Sequence, residues 1–196
     1  MAPDGSTEKI RFTLDGKTVS AAPGETIWQV AQRNGTDIPH LCYAPSPGYR
    51  ADGNCRACMV EIEGERVLAA SCIRQPEDGM VVQSGSARAT SARKMVFELL
   101  VADQPSREKT HNKGSQFWSW AERLDIEKSR FPAQIALEPD LSHPAMAVNL
   151  DACINCTLCI RACREVQVND VIGMAGRGAE AKIVFDFDDP MGDSTC

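Results

Sequence analysis

The chain has 196 residues, of which 43% are hydrophobic and 24% charged, and its formal net charge is −6. This composition excludes a disordered or collagen-like polymer, and the length allows one domain or two small ones. The acidic charge argues against nucleic-acid binding, and no apolar run reaches the roughly 18 residues that a membrane span needs. The unusual feature is the content of nine cysteines. Because no secretory signal is visible, we expect a cytoplasmic protein whose thiols bind metal rather than form disulfides.

Residues 8–84 predict a β-grasp domain. Asp15-Gly16 lies between two alternating apolar runs, which favours a tight hairpin, and Gly35 is a suitable end for the helix that follows. The order hairpin, helix, cysteine-containing loop, hairpin and strand is typical of this fold. The predicted elements are strands at residues 10–14 and 17–20, a helix at 26–34, strands at 59–62 and 66–70 that turn at Glu63-Gly64, and a strand at 80–83.

Four cysteines of this region form the first candidate site: Cys42, Cys55, Cys58 and Cys72. Two residues separate Cys55 from Cys58, and Gly53 precedes them, so backbone N–H groups can point toward sulfur. The pattern suits a [2Fe–2S] cluster, but four thiolates could also hold a structural zinc ion. Twelve residues separate Cys42 from Cys55, a longer gap than in plant-type ferredoxins. The residues alone leave both metals open.

Residues 85–148 predict a helical linker region. A helix over 86–101 is expected to pack through Ala89, Ala92, Val96 and Leu99, which recur at helical spacing. A second helix, ending at Leu124, is expected to contain an aromatic cluster. Residues 131–144 are predicted to form an irregular connection. The cluster is Phe117, Trp118 and Trp120. The three histidines, His40, His111 and His143, are isolated in the sequence, and we expect each to make structural hydrogen bonds. For His40 the alternative is a role beside the metal ligands.

Residues 149–196 contain the strongest motif, Cys153-x2-Cys156-x2-Cys159-x3-Cys163. This run is typical of bacterial [4Fe–4S] ferredoxins, in which the fourth cysteine ligates a second cluster. Cys153, Cys156 and Cys159 therefore predict one cluster, with its fourth ligand downstream, and Cys163 with Cys196 predicts part of another. We accordingly expect the chain to be truncated within this domain.

Arg164 stands where the bacterial motif has proline, so a helix over 163–168 is expected, followed by strands at 171–174 and 182–187. Three aspartates, Asp186, Asp188 and Asp189, are expected in a solvated turn. The predicted fold class is α+β: a β-grasp [2Fe–2S] domain, the helical linker, and an incomplete [4Fe–4S] ferredoxin-like domain.

Four segments resemble the N-terminal part of the α subunit of cytosolic NAD-dependent molybdenum or tungsten formate dehydrogenases. They are GETIWQVAQRNGTDIPHLCY, GNCRACMVEIEG, VFELLVADQPSRE and NLDACINCTLCIRACREVQVNDVIG. The resemblance implies a [2Fe–2S] cluster on Cys42, Cys55, Cys58 and Cys72, and [4Fe–4S] clusters on the later cysteines. It also implies partners outside this stretch: a downstream catalytic domain with a Mo/W bis-pterin centre, and a flavoprotein subunit that uses FMN to reduce NAD.

The same architecture is similar to the largest peripheral-arm subunit of complex I and to the diaphorase small subunit of NAD-reducing hydrogenases. Those families carry a cluster on one histidine and three cysteines in the connecting region, whereas this chain has no cysteine between Cys72 and Cys153. We therefore expect an electron relay of a formate dehydrogenase complex, with no substrate site in these residues. The alternatives are an electron-transfer subunit of a hydrogenase or complex I-like diaphorase, and a zinc-stabilised interaction module.

Overall fold

A computed structural model describes residues 9–46, 48–133 and 137–195. The described residues form two compact units. The first unit contains the described part of Met1–His40 together with Ala51–Val96. The second contains Leu41–Arg50 and Phe97–Cys196, within the described ranges.

The first unit is built on a five-stranded sheet in the order β2-β1-β5-β3-β4. β1 pairs antiparallel with β2 and parallel with β5, while β3 pairs antiparallel with both β4 and β5. A mixed sheet with the first and last strands side by side at its centre is the arrangement of a β-grasp domain, as predicted. The strands are β1 (Ile10–Leu14), β2 (Lys17–Ala21), β3 (Met59–Ile62), β4 (Ala69–Ala70) and β5 (Val81–Gln83).

Local sequence accounts for the first hairpin and the helix. Asp15 and Gly16 have φ angles of 49° and 79°, which match the twist of a two-residue hairpin turn. Thr26 caps α1 (Ile27–Arg33): its hydroxyl accepts the N–H of Gln29, and the Gln29 side chain accepts the N–H of Thr26. The predicted hairpin at Asp15-Gly16 and the predicted helix at 26–34 are confirmed.

The second hairpin differs from its prediction. β4 covers two residues instead of the predicted 66–70, because β3 pairs with Ala69 and Ala70 only over its first half. Its second half, Glu61 and Ile62, pairs with β5 on the other edge. Val67 is exposed, so burial does not hold the missing part of the strand against β3.

α2 (Ala87–Ala102) has the predicted extent, but its buried face is different. Leu99 is 47% exposed and Ala92 is only half-buried, so the predicted packing face of the helix is wrong at these two positions. The buried positions recur every four residues instead, at Ala89, Arg93, Phe97 and Val101, and the last residue, Ala102, is buried as well. Arg93 can be buried on this face because carbonyl oxygens accept hydrogen bonds from its guanidinium. A pattern of apolar residues does not predict such a position.

The second unit contains the predicted aromatic helix. Ser115 caps α3 (Gln116–Arg123), and Leu124 ends it. Phe117, Trp118 and Trp120 are buried as expected, and the ring of Phe117 stacks on that of Phe97 with centroids 5.7 Å apart. The aromatic cluster therefore forms core.

The last part of the second unit contains the cysteine motif and a hairpin. A short 3₁₀ turn (Leu150–Ala152) precedes the motif, α4 (Leu158–Arg161) runs directly into one π-helical turn (Ala162–Val166), and another 3₁₀ turn (Gly178–Glu180) joins the two strands. β6 (Ile172–Ala175) and β7 (Lys182–Phe185) pair antiparallel close to their predicted positions.

The helix predicted to begin at Cys163 instead begins at Leu158 and ends at Val166. Thr157, with a φ of 62°, turns the chain into α4, and Val168, with a φ of 59°, lies beyond its end. The predicted second strand ends early: Phe187 is 97% exposed and lies outside β7. None of the described helices combines the length and the apolar character that crossing a membrane requires.

Candidate iron–sulfur sites

Cys55 and Cys58 lie on the loop that leads into β3. Gly53 and Arg56 both adopt positive φ, 64° and 57°, so the loop turns sharply before and between the two cysteines. Cys58 is buried and Cys55 is half-buried. The carbonyl of Cys58 accepts hydrogen bonds from Ser71, 2.7 Å from the hydroxyl and 3.2 Å from the N–H. The loop therefore enters the sheet in a fixed position.

Cys72 follows β4 directly after Ser71 and is buried. The β3–β4 register pairs Met59 with Ala70, so the chain at Cys58 lies beside the chain at Ser71. Strand pairing thus brings two of the predicted ligands, Cys58 and Cys72, to neighbouring positions in the first unit. Cys42 is buried and belongs to the segment Leu41–Arg50 of the second unit.

The loop from Cys153 to Cys159 has the left-handed turns that closely spaced ligands need. Asn155 and Thr157 have φ angles of 51° and 62°. The N–H of Asn155 donates to Sγ of Cys153 at 3.3 Å. Such N–H···S bonds are the contacts by which proteins hold and tune cluster thiolates.

Burial raises the pKa of the thiols of Cys153, Cys156 and Cys159. For Cys156, the N–H of Leu158 opposes this effect, while the neighbouring sulfur of Cys153 adds to it. Cys153 and Cys156 are half-buried and Cys159 is exposed. Three thiols that lie within electrostatic range of one another ionise reluctantly by themselves. A bound cation reverses this, because coordination deprotonates a thiol outright.

Cys163 lies in the π-helical turn and is 5% exposed. Its Sγ accepts the N–H of Val171 at 3.3 Å, a contact of the same kind as that of Cys153. Cys196, its predicted companion in a second cluster, lies outside the described residues.

The donor chemistry suits iron–sulfur clusters. All eight cysteines that the structure describes are free thiols, with no disulfide to occupy them. Over those residues, no three His, Cys, Asp or Glu side chains converge as the ligands of a single metal ion would. The ligand assignments of the sequence therefore stay predictions, supported by sulfur donors, backbone N–H···S bonds and strained loops.

Sequence reasoning missed two side chains beside the cysteines. Ser71 is fully buried and anchors Cys58, and Arg161 is 1% exposed although it is an arginine. A clue to Arg161 in the sequence is its place between Cys159 and Cys163, with the apolar residues Ile160 and Ala162 on either side. His40 packs edge-on against the ring of Trp28, with centroids 4.5 Å apart, and its predicted roles stay untested.

Comparison with known proteins identifies the class of the first domain. Residues 7–87 match the family model described as a 2Fe-2S iron-sulfur cluster binding domain. Together with the five-stranded sheet, this match makes the region a 2Fe–2S ferredoxin-like domain within a mixed α/β fold.

The chain as a whole is similar to parts of larger redox proteins. It is 35% identical over 195 residues to the NADP-reducing hydrogenase subunit HndD of Solidesulfovibrio fructosivorans, covering 95% of this chain and 33% of that protein. It is 32% identical over 180 residues to the mitochondrial NADH-ubiquinone oxidoreductase 78 kDa subunit of Candida albicans, covering 89% of this chain and 25% of that one. The chain thus spans about a quarter to a third of the length of these relatives.

A crystal structure of a NAD+-reducing [NiFe]-hydrogenase in the H2-reduced state is similar in fold. Its TM-score is 0.81 at 28% sequence identity, over 95% of this chain and 80% of that one. These three similar proteins are NAD(P)-linked oxidoreductases or subunits of them.

Proposed function

We propose that this chain is the iron–sulfur electron-transfer part of an NAD-linked oxidoreductase complex in the cytoplasm. One observation carries the proposal: a 2Fe–2S domain and a C-x2-C-x2-C-x3-C loop occur in one chain whose relatives are subunits of such complexes. In this role the clusters accept and release single electrons, and the chain's own residues hold and shield them.

The residues proposed to hold the clusters are those predicted from the sequence. Cys42, Cys55, Cys58 and Cys72 would bind the [2Fe–2S] cluster, and Cys153, Cys156 and Cys159 a [4Fe–4S] cluster. Cys163 would belong to a second [4Fe–4S] cluster, with Cys196. Cys42, Cys58, Cys72 and Cys163 are buried, which keeps water from those four sulfurs. The N–H···S bonds to Cys153 and Cys163 would stabilise the reduced form of the clusters.

Within this class, we propose a formate dehydrogenase complex in which electrons pass from a Mo/W centre to a flavoprotein that reduces NAD. The support is the resemblance of the four sequence segments and the absence of a cysteine between Cys72 and Cys153. The second candidate is a hydrogenase electron-transfer subunit, which the similarity to HndD and to the [NiFe]-hydrogenase favours. The activity of the native complex separates the two candidates. NAD reduction with formate as electron donor supports the formate dehydrogenase, and NAD reduction with hydrogen but not with formate supports the hydrogenase.

The electron-transfer role is tested on anaerobically purified chain. We expect iron and acid-labile sulfide with negligible zinc, and a rhombic [2Fe–2S] signal in the EPR spectrum after reduction. Stoichiometric zinc without sulfide would instead identify a zinc-stabilised interaction module and overturn the proposal.

A further inference from the structure

Arg161 is among the largest fully buried side chains of the described residues, with 1% of its surface exposed. It lies two residues after Cys159 and two before Cys163, at the last position of α4. A guanidinium stays protonated in proteins, so a full positive charge is buried within the cysteine motif. Burying such a group is costly unless its donors are satisfied, which makes its hydrogen-bond partners informative.

Two hydrogen-bond partners of Arg161 lie in the segment Leu41–Arg50, which belongs to the same unit. Nη2 donates to the carbonyl of Cys42, and Nη1 donates to the carbonyl of Arg50 at 2.5 Å. One planar group thus fastens both ends of a loop whose first residues include a predicted cluster ligand. The fixed fork of donors on arginine suits this task, and the single ammonium of lysine does not.

Further contacts hold the same segment against α4 and the π-helical turn. The Tyr49 ring lies under the guanidinium, 5.9 Å from its central carbon to the ring centroid, and the Tyr49 hydroxyl donates to the carbonyl of Leu158 at 3.4 Å. Nε of Arg50 lies 3.5 Å from a carboxylate oxygen of Glu165. Because these contacts are longer or more exposed, Arg161 is the main connection.

We infer that Arg161 is a positioning residue for Cys42: it fixes the main chain of this predicted [2Fe–2S] ligand to α4, the helix that carries the predicted [4Fe–4S] ligand Cys159. The inference rests on the proposed electron-transfer function. It also assigns Arg161 an electrostatic effect, because a buried positive charge beside cluster ligands favours the reduced, more negative cluster.

The positional effect is tested with Arg161→Gln and the control Arg164→Gln, which removes an arginine from the exposed side of the same helix. Trypsin can cleave after Arg50, whose side chain is 70% exposed. We expect Arg161→Gln to be cut there several-fold faster than the control, and its [2Fe–2S] absorption to disappear several-fold faster when a chelator is added.

The electrostatic effect is tested by potentiometric titration followed by EPR. Arg161→Gln should lower the midpoint potential of the [2Fe–2S] centre, whereas Arg161→Lys should stay nearer to the unsubstituted chain because it keeps the charge. Arg161→Lys should still lose cluster faster than the control, because an ammonium cannot replace both hydrogen bonds of the fork. If Arg161→Gln does not fold, these lysine results decide the question.

The outcomes separate this inference from the proposed function. If the unsubstituted chain contains no iron and sulfide, the proposed function fails, and the role of Arg161 fails with it. If the unsubstituted chain holds its clusters and the Arg161 variants match Arg164→Gln in cleavage, cluster loss and potential, only the inference about Arg161 is overturned.

Discussion

Arg93 of α2 donates two hydrogen bonds to the main-chain carbonyl of Met59, 2.9 Å from Nε and 2.6 Å from Nη2. Its Nη2 also donates to the carbonyl of Ser84 at 2.5 Å. Met59 begins β3 directly after Cys58, and Ser84 follows β5. One side chain therefore ties the helix to the ends of two strands, next to a predicted cluster ligand.

Replacing Arg93 by methionine should lower the free energy of unfolding by about 2–4 kcal/mol, because it leaves the part-buried carbonyl of Met59 and the buried carbonyl of Ser84 without this donor. The control is Lys94→Met, which changes an exposed neighbour on the same helix and should stay within about 0.5 kcal/mol of the unsubstituted chain. Urea unfolding followed by circular dichroism measures both. Equal stability of the two variants would contradict the structural role of Arg93.

The Ser71 hydroxyl should matter for a related reason. It is fully buried and donates to the carbonyl of Cys58 at 2.7 Å. We expect Ser71→Ala to cost about 1–2 kcal/mol of unfolding free energy and to lose [2Fe–2S] absorption faster under chelator. Ser91→Ala, at an exposed position of α2, is the matched control and should change neither. A Ser71→Ala variant as stable as this control would rule out the anchoring role.

Gly53 combines a positive φ with little space. A Cβ there would lie 2.8 Å from Cδ1 of Ile73, while Gly79, with a φ of 76°, has open surroundings. Gly79→Ala should cost about 1–2 kcal/mol from backbone conformation alone, and Gly53→Ala more, with reduced iron content. Adding Ile73→Val deletes Cδ1 but keeps Cγ1, which would lie 3.2 Å from the new Cβ, so it should recover part of the excess cost of Gly53→Ala over Gly79→Ala. Iron analysis and urea unfolding test this, and an excess that is unchanged in the double variant would mean that the contact with Cδ1 is not its cause.

Local sequence was enough to predict the first hairpin at Asp15-Gly16 and the helix that ends before Gly35, because these signals act within a few residues of one another. The start of α4 could not be predicted in the same way. A non-glycine residue in the left-handed region, Thr157, begins that helix, and residue type gives no warning of this conformation. The motif itself was visible, but the conformation that presents it was not.

The two buried arginines escaped prediction for a physical reason. Arg93 contacts a carbonyl 34 positions away in sequence, and Arg161 contacts one 119 positions away. A hydrophobicity pattern treats arginine as a surface residue, whereas its burial depends on carbonyls that only the fold brings within reach. Spacing alone marks the cysteines as candidate ligands, whereas finding the side chains that support them needs the tertiary structure.

Asp186 should make the end of the described chain sensitive to acid. Its pKa is lowered, first by the hydroxyl of Ser194, 2.6 Å away, and then by the N–H and hydroxyl of Thr195. A lowered pKa means that this stabilisation is present above the ordinary value of 3.8 and is lost as the pH falls through the lower folded-state value. The protection of the Thr195 amide from hydrogen exchange, measured against an unstructured peptide at the same pH, should therefore fall in that acidic window.

Asp186→Asn should make this exchange fast at neutral pH as well, since the amide oxygen is a weaker acceptor than a carboxylate. Asp189→Asn, at an exposed position, is the control and should keep the acid dependence of the unsubstituted chain. Slow exchange in Asp186→Asn at neutral pH would show that the carboxylate does not hold this segment.

Because Cys55 and Cys163 are assigned to different clusters, Cys55→Ser and Cys163→Ser should affect the [2Fe–2S] EPR signal differently. Cys55 is on the loop before β3 in the first unit, and Cys163 is in the π-helical turn of the second. Cys55→Ser should remove or strongly alter the rhombic [2Fe–2S] EPR signal, because serine oxygen replaces a thiolate ligand. Cys163→Ser should leave that signal unchanged, because this cysteine is assigned to a [4Fe–4S] cluster. Loss of the [2Fe–2S] signal in Cys163→Ser would show that the division of ligands is wrong, while retention of an unaltered signal in Cys55→Ser would remove Cys55 from the first site.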